Sequence, residues 1–308
     1  MSSEKISQQK ALEIVKGIIK DTLDDRTNIF KDVFDHLLTS EGKYIRTKLG
    51  IICASKNDGG KYYVEDKFLP LLAAVELLHL ATLIHDDVID EATTRRNIQA
   101  VHKKFDNKTA VLSGDYIFTL CFSLVSKDDY ELMPNFSKVM SLICQGELLQ
   151  HKNRFNYNIS VKDYFKIISG KTAALFALSS AIGARGAGYN DKEIKNFAEV
   201  GYRLGVLFQI TDDKIDIEEK SYNAGKDTQN DFKEGIYTLP VILALKKLRE
   251  DLKDIKDLPL YLEYGSKRAK EVVEKYKDKT IKAIEKLPKE ADISSLYDIL
   301  DKILNRRK

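Results

Sequence analysis

An all-α protein is what this sequence predicts, and three observations carry the prediction. The 308 residues include only 16 glycines and 5 prolines, too few turn formers for a sheet protein of this length. Charged residues make up 31% of the chain, and Ala, Leu, Lys and Glu, which sacrifice little entropy on entering a helix, are prominent. Apolar residues recur at helical spacing almost from end to end, and nothing alternates in the manner of a half-buried strand. A hydrophobic content of 43% supports a sizeable core, and the expected architecture is a single domain spanning 1–308.

The first helix is marked by Ala11, Leu12, Val15, Ile18 and Ile19. Further helices are expected over 29–39, 42–56, 66–91, 109–126, 131–152, 161–184, 190–219, 232–249, 263–287 and 292–306. The breaks, at pieces such as 56–61, 186–190 and 219–231, are too short to serve as domain linkers. Two stretches, 71–84 and 173–182, are apolar around most of the helix and belong in an interior. The lysine-rich stretch 267–289 reads as a solvated face.

Several function classes are set aside by composition. Fifty basic and 47 acidic residues are well mixed, with a net charge of +3, which is not the concentrated basic face of a nucleic-acid binder. The longest nearly apolar run, 71–84, is interrupted by Glu76 and His79 and falls short of the ~20 residues that cross a bilayer, so no transmembrane segment is expected. The opening MSSEKISQQK has no apolar stretch behind it of the secretory kind, and a cytoplasmic protein is expected. Cys53, Cys121 and Cys144 are odd in number, widely spaced and set among apolar neighbours, which suggests core-filling thiols rather than disulfides or a zinc site.

The first apolar helix runs straight into His85, Asp86, Asp87, Val88, Ile89 and Asp90. On a continuing helix Asp86 and Asp90 share a face one turn apart, with Asp87 beside them. Carboxylates gathered in this way repel one another unless cations neutralise them. After a second apolar segment, 206–210, the same spacing returns as Asp212, Asp213 and Asp216, which suggests two carboxylate sets facing across a cavity. Ligands that are all oxygen favour Mg²⁺, which keeps some of its water and bridges protein carboxylates to substrate phosphates, so a diphosphate-type substrate is expected. No twelve-residue loop of the EF-hand type is present, and the histidines are too scattered for a zinc hydrolase. Basic partners stand close in sequence: Lys43 and Arg46 in GKYIR, Arg95 and Arg96 after the first set, Lys171 before an apolar helix, and Lys226 after the second set.

These pieces, in order, resemble the trans-type polyprenyl diphosphate synthases. The resemblance runs from about Gly42 to Pro240 through GKYIR at 42–46, ELLHLATLIHDDVIDEATTRR at 76–96, GDY at 114–116, GE at 146–147, GKTAALFA at 170–177, FQITDDKID at 208–216 and GKDTQNDFKEGIYTLP at 225–240. It implies a helical bundle of the isoprenoid synthase type around a deep central cavity, a homodimer, and head-to-tail condensation of an allylic diphosphate with isopentenyl diphosphate. It also implies that Asp86, Asp87, Asp90, Asp212, Asp213 and Asp216 hold Mg²⁺ against the allylic diphosphate, assisted by Arg95, Lys171, Thr172, Gln209 and Lys226. Lys43, Arg46, His79 and Arg96 then bind isopentenyl diphosphate. Asp86, Asp87, Lys171 and Asp212 stand at the centre of the chemistry, which is stabilisation of a departing diphosphate. The chain departs from the family at Tyr44 and Thr47, where Arg and Pro are more usual, at Ile236, where Lys is common, and at Gln229, where Gly is usual. Those departures thin the secondary phosphate contacts.

Product length is read from what lies below the metal site. Ala81 and Thr82 precede Asp86 by five and four residues, about 6 to 7.5 Å along a helix, and both are small where shorter-chain members of the family carry a bulky aromatic. A neighbouring stripe reads Phe136, Met140, Ile143, Glu147 and Gln150, and Phe136 or Met140 is a candidate floor or simply core. A product longer than C20, in the range C30 to C40, is expected. The alternatives are a geranylgeranyl or farnesyl diphosphate synthase of the same family, or a non-catalytic subunit of a heteromeric enzyme, although such a subunit is expected to lose an aspartate set. A terpene cyclase normally mixes Asn, Ser or Thr with Glu in its second metal motif, whereas this chain has DDKID.

Overall fold

The computed structural model describes residues 4–24, 28–40, 42–59, 61–222 and 235–306. Helices dominate, as composition and periodicity predict. They group into two compact units, one made of Met1–Ser137, Leu178–Lys195 and Pro288–Asp292, the other of Lys138–Ala177, Asn196–Leu287 and Ile293–Lys308.

In chain order the elements are β1 (Lys5–Ile6), α1 (Gln8–Leu23), α2 (Lys31–Leu38), α3 (Ile45–Ala54), β2 (Lys56–Asp58), β3 (Lys61–Glu65), α4 (Leu69–Ile89), β4 (Thr94–Arg95), β5 (Ile98–Gln99), α5 (Val101–Lys104) and α6 (Asn107–Asp128). There follow α7 (Met133–Lys152), α8 (Val161–Ile168), a π-turn at Ser169–Ala173, α9 (Ala174–Gly186), α10 (Asp191–Tyr222), α11 (Leu239–Glu250), α12 (Leu262–Ile284) and α13 (Ile293–Leu304). α7, α9 and α10 each contain a boundary between the units.

In the first unit α1 starts where Ser7 accepts the Lys10 N–H at 3.2 Å, and Ala11, Val15, Ile19 and Leu23 then make one buried stripe at intervals of four. α4 packs against α1, α3 and α6, and this contact all round explains why its sequence carries no polar face until its end. α6 begins at Asp106, whose carboxylate accepts the Thr109 N–H at 2.8 Å. On its inner side the Cys121 thiol donates to the Ala74 carbonyl at 3.2 Å.

Five points depart from the sequence reading. β3 pairs antiparallel with both β1 and β2, and β4 with β5, although no strand was expected, because strands of two to five residues are too short for alternation to register. The expected helix 161–184 is interrupted by the π-turn. Residues 235–238 lie outside α11, since Gly235 adopts φ +76° and Thr238 is extended ahead of Pro240 at the helix start. Cys53 and Cys121 are buried as expected, but Cys144 is exposed. Finally, the stretches Asp66–Ile89, Asn107–Asp128 and Val161–Gly186 are helices long and apolar enough to cross a membrane by length and composition; 61%, 33% and 78% of an apolar 18-residue part of each, respectively, is buried within the protein. The apolar run was read as too short because interrupting residues such as Glu76 and His79 are tolerated within a helix of that length and composition.

In the second unit the π-turn lies in close backbone contact with α7. A Cβ on Gly170 would lie 2.3 Å from the Leu142 carbonyl oxygen, and one on Gly146 would lie 2.9 Å from the Lys171 nitrogen. Only glycines allow α7 to lie this close to the turn. Gly170→Ala is therefore expected to destabilise the protein by about 3 kcal/mol or more, because the obstacle is backbone rather than a movable side chain. Urea unfolding of the two proteins measures it.

Candidate functional site

In the first unit the end of α4 carries the first aspartate set. Asp86 and Asp90 are half-buried and one turn apart, and the Asp90 N–H closes the helix on the Asp86 carbonyl at 2.8 Å. Asp87 points elsewhere: it is 4% exposed, and its Oδ1 accepts from Arg95 Nε at 2.7 Å and from Arg95 Nη2. The three acids therefore do not act alike, since Asp87 is held by a guanidinium within its own unit.

Arg95 and Arg96 are presented by the β4–β5 hairpin. Its two-residue turn is Arg96 (φ +50°) and Asn97 (φ +64°), the positive-φ pair that a tight hairpin of right-handed twist requires. For arginine that backbone costs on the order of 1 kcal/mol, which marks a position held for its side chain. Gly42 lies flat against that side chain: a Cβ there would lie 2.8 Å from Arg96 Nη1.

Arg96, Gly42, Tyr44, Glu76 and His79 form the polar end of a cavity of about 80 Å³, which continues between apolar residues such as Ile19, Leu23 and Leu80. Burial pulls the Arg46 guanidinium down to about 10, with Glu76 opposing and Arg96 adding to the effect, so it remains cationic at neutral pH. Glu76 is fixed by Thr47, which donates to its Oε1 from the backbone at 3.1 Å and from the hydroxyl at 2.8 Å. His79 is pushed well below its usual 6.5, by burial first and then by Arg46, Arg96 and Arg95, so it is neutral. The cluster sets three guanidiniums, Arg46, Arg95 and Arg96, against two carboxylates, Glu76 and Asp87, and its excess positive charge suits an anion. Lys43 is exposed nearby in sequence, and its carbonyl accepts from Lys48 Nζ at 2.9 Å.

His79 gives a pH dependence of defined sign. Its folded pKa is depressed, so the unfolded chain takes up a proton that the folded chain refuses; the stability is complete above pH 6.5 and declines as the pH falls below it. The slope approaches about 1.4 kcal/mol per pH unit. Urea unfolding at pH 6.5 and 5.5 should show the wild type losing about 1 kcal/mol more than His79→Asn, because the full slope is reached only below that interval, and parallel losses would remove His79 as the cause.

In the second unit α10 carries Asp212 and Asp213, which again differ. Asp212 is half-buried and lies 3.1 Å from Nη1 of Arg306, whose guanidinium sits 4.4 Å over the Phe208 ring. Asp213 is 7% exposed; its Oδ2 accepts from the Tyr164 hydroxyl at 2.6 Å and its Oδ1 from Gln209 Nε2 at 2.8 Å. Gln209 Oε1 in turn accepts from the Thr172 hydroxyl at 2.8 Å. Burial, reinforced by Asp213, pushes the Tyr164 hydroxyl well above 10, which keeps it a donor. Lys171, on the π-turn, pairs with Glu147 at 2.5 Å, and Gln150 donates to the same carboxylate at 3.3 Å. Asp216 lies on α10 with its side chain outside the described residues, as are Lys226 and Gln229 altogether.

Among the described residues no three His, Cys, Asp or Glu side chains converge as a ready-made metal cage. The donor chemistry still fits a hard divalent cation. In the first unit Asp86 and Asp90, and in the second Asp212, offer oxygen alone, and Mg²⁺ takes as few as one or two carboxylates and completes its shell with water and substrate phosphate.

The proposed length-controlling residues are placed as follows. Ala81 is fully buried on α4, and Thr82 is half-buried, with its hydroxyl donated to the His79 carbonyl at 2.8 Å. Phe136 is fully buried in the first unit, while Met140 is half-buried and belongs to the second. The sequence reading missed Tyr164, Arg306 and the Thr47–Glu76 pair. Tyr164 is one of 15 tyrosines with no distinguishing neighbour, Arg306 is remote in sequence, and Thr47 stood out only as a departure from the family.

Comparison with known proteins agrees with this chemistry. Residues 27–278 match the family model described as polyprenyl synthetase. A prenyl transferase of Porphyra purpurea is 30% identical over 97% of this chain and 96% of its own length. A geranylgeranyl diphosphate synthase of Sulfolobus acidocaldarius is 32% identical over 78% of this chain and 74% of its own. The crystal structure of heptaprenyl diphosphate synthase from Staphylococcus aureus superposes with a TM-score of 0.85 at 26% identity, covering 99% of this chain and 100% of that one. With the family model matching most of its length and a relative 30% identical over nearly all of it, the chain belongs to the polyprenyl synthetase family and is a prenyltransferase.

Proposed function

We propose that the protein is a Mg²⁺-dependent trans-polyprenyl diphosphate synthase that condenses isopentenyl diphosphate head to tail onto an allylic diphosphate, with a product of C30 to C40. The observation that carries the reading is the excess of guanidinium charge around a neutral His79, in the same unit as Asp86 and Asp90. Arg46, His79 and Arg96, with Lys43, bind isopentenyl diphosphate; a neutral His79 donates one hydrogen bond without adding a charge that the arginines would oppose. Asp86, Asp87, Asp90, Asp212, Asp213 and Asp216 make up the metal-binding sets, in which Asp86, Asp90, Asp212 and Asp216 supply the ligand carboxylates and the buried Asp87 and Asp213 brace them, with Arg95, Lys171, Thr172, Gln209 and Lys226 directed to the allylic diphosphate. When bound, Mg²⁺ neutralises the charge that builds on the departing diphosphate. Arg95 and Lys171 can exchange their resting partners, Asp87 and Glu147, for phosphate oxygens. The apolar lining keeps water from the allylic carbocation, and the released diphosphate takes the final proton.

The length assignment is supported by the small residues Ala81 and Thr82, and the similar proteins carry names from geranylgeranyl to decaprenyl diphosphate synthase. A homodimer is supported by α6, a helix of whose apolar 18-residue part only 33% is buried and which exposes Val111 and Leu112. A second reading, one subunit of a heteromeric enzyme, is favoured by a Bacillus subtilis relative named heptaprenyl diphosphate synthase component 2, 30% identical over 79% of this chain.

Purified protein incubated with Mg²⁺, isopentenyl diphosphate and farnesyl diphosphate should give products of C30 or longer by mass spectrometry. A stop at C20 would keep the chemistry and overturn the length assignment. No elongation from any allylic primer would shift the weight to the heteromer.

A further inference from the structure

We infer that Tyr164 is a positioning residue for the second aspartate set, anchoring Asp213 so that Asp212 and the π-turn carrying Lys171 keep their settings. The inference rests on the synthase reading and adds to it a residue outside all seven sequence matches.

Asp213 has both carboxylate oxygens engaged by donors of its own unit, Tyr164 on one and Gln209 on the other. Gln209 cannot exchange its amide ends, because a flip would set its carbonyl oxygen against the Asp213 carboxylate, acceptor against acceptor. The hydrogen bonds thus run in one sense toward Asp213, from Tyr164 directly and from Thr172 through Gln209. They join α10 to the continuous segment formed by α8 and the π-turn. Thr172 is the residue after Lys171, and Asp212 the residue before Asp213. On a helix consecutive side chains diverge by about 100°, so fixing Asp213 inward fixes the direction of Asp212.

Packing does not account for the Tyr164 hydroxyl. The residue is 3% exposed, and a phenylalanine would fill the same space without burying a polar atom. The hydroxyl therefore serves Asp213, and outer partners of this kind affect metal affinity by orienting the groups that bind.

The test is Mn²⁺ binding by electron paramagnetic resonance in the presence of inorganic pyrophosphate, with thermal melts, on wild type, Tyr164→Phe, Asp213→Asn and Asp212→Asn. Tyr164→Phe is expected to stay folded, to weaken Mn²⁺ binding about tenfold, and to leave KM for isopentenyl diphosphate unchanged. Asp213→Asn should lose no more than Tyr164→Phe, and the double variant little beyond either, because the two residues act as one unit. Wild-type Mn²⁺ affinity in Tyr164→Phe, with or without a lower melting temperature, would overturn the inference. So would an Asp213→Asn as deficient as Asp212→Asn beside an unaffected Tyr164→Phe, which would make Asp213 a ligand in its own right. No pyrophosphate-dependent Mn²⁺ binding in the wild type would overturn the synthase reading and the inference together, an outcome distinct from failure of the anchor alone.

Discussion

Asp86→Ala loses turnover on the order of a thousandfold and keeps the fold. The loss is expected because Asp86, half-buried at the end of α4 and a turn from Asp90, supplies a carboxylate to the cation that carries the leaving diphosphate's charge. The fold survives because the structural acid of this set is Asp87, whose buried carboxylate stays paired with Arg95 in the variant. Alanine is also the better helix former, and removing one acid from the cluster lessens repulsion along the helix. Single-turnover rates from farnesyl diphosphate and a thermal melt measure both halves. Wild-type turnover would sink the metal assignment, and collapse of the melt would move Asp86 from chemistry to scaffold. Asp87→Ala is the contrasting case: it strips the partner from Arg95 and leaves a void where a 4%-exposed carboxylate stood, so its first effect is on stability.

That contrast marks how far the sequence could be read. The two sets have the same spacing, so Asp86, Asp87 and Asp90 look equivalent as text, as do Asp212, Asp213 and Asp216. Which acid turns inward depends on how each helix is rotated against its neighbours, a tertiary quantity that spacing does not contain. The interior helices were legible because α4 and residues 173–182 are apolar all round, a pattern that a helix on a protein's own wet surface does not carry. Cys144 was misread for the complementary reason: apolar neighbours in sequence, such as Ile143, lie about 100° away around the helix and say little about its own face. The π-turn was hidden because the constraint acts through contacts between α7 and residues 169–173, and no local propensity encodes the approach of Leu142 to Gly170. The motif glycines at 146 and 170 were visible as letters. Their reason, closeness of backbone to backbone, needed the fold.

The product-length assignment stakes most on Ala81. Ala81→Phe is expected to shift the product from C30 or longer to C20 or shorter while turnover on a short allylic primer persists. The position lies about 7.5 Å along α4 from Asp86, roughly the reach of the first isoprene unit beyond a bound diphosphate. Ala81 is fully buried, and α4 packs against α6 and α1, so a phenyl ring must take space from the neighbours or from the growing chain. Taking it from the neighbours costs about 1 to 3 kcal/mol of stability as overpacking. Taking it from the chain shortens the product at little cost in stability. The two outcomes separate when mass spectrometry of the products is set beside a urea titration. A less stable variant that still makes the wild-type distribution would place Ala81 in the core rather than beside the product. Thr82, whose hydroxyl is tied to the His79 carbonyl, would then be the next position to enlarge, because its alcohol already has a partner within the helix and a larger side chain there changes shape more than polarity.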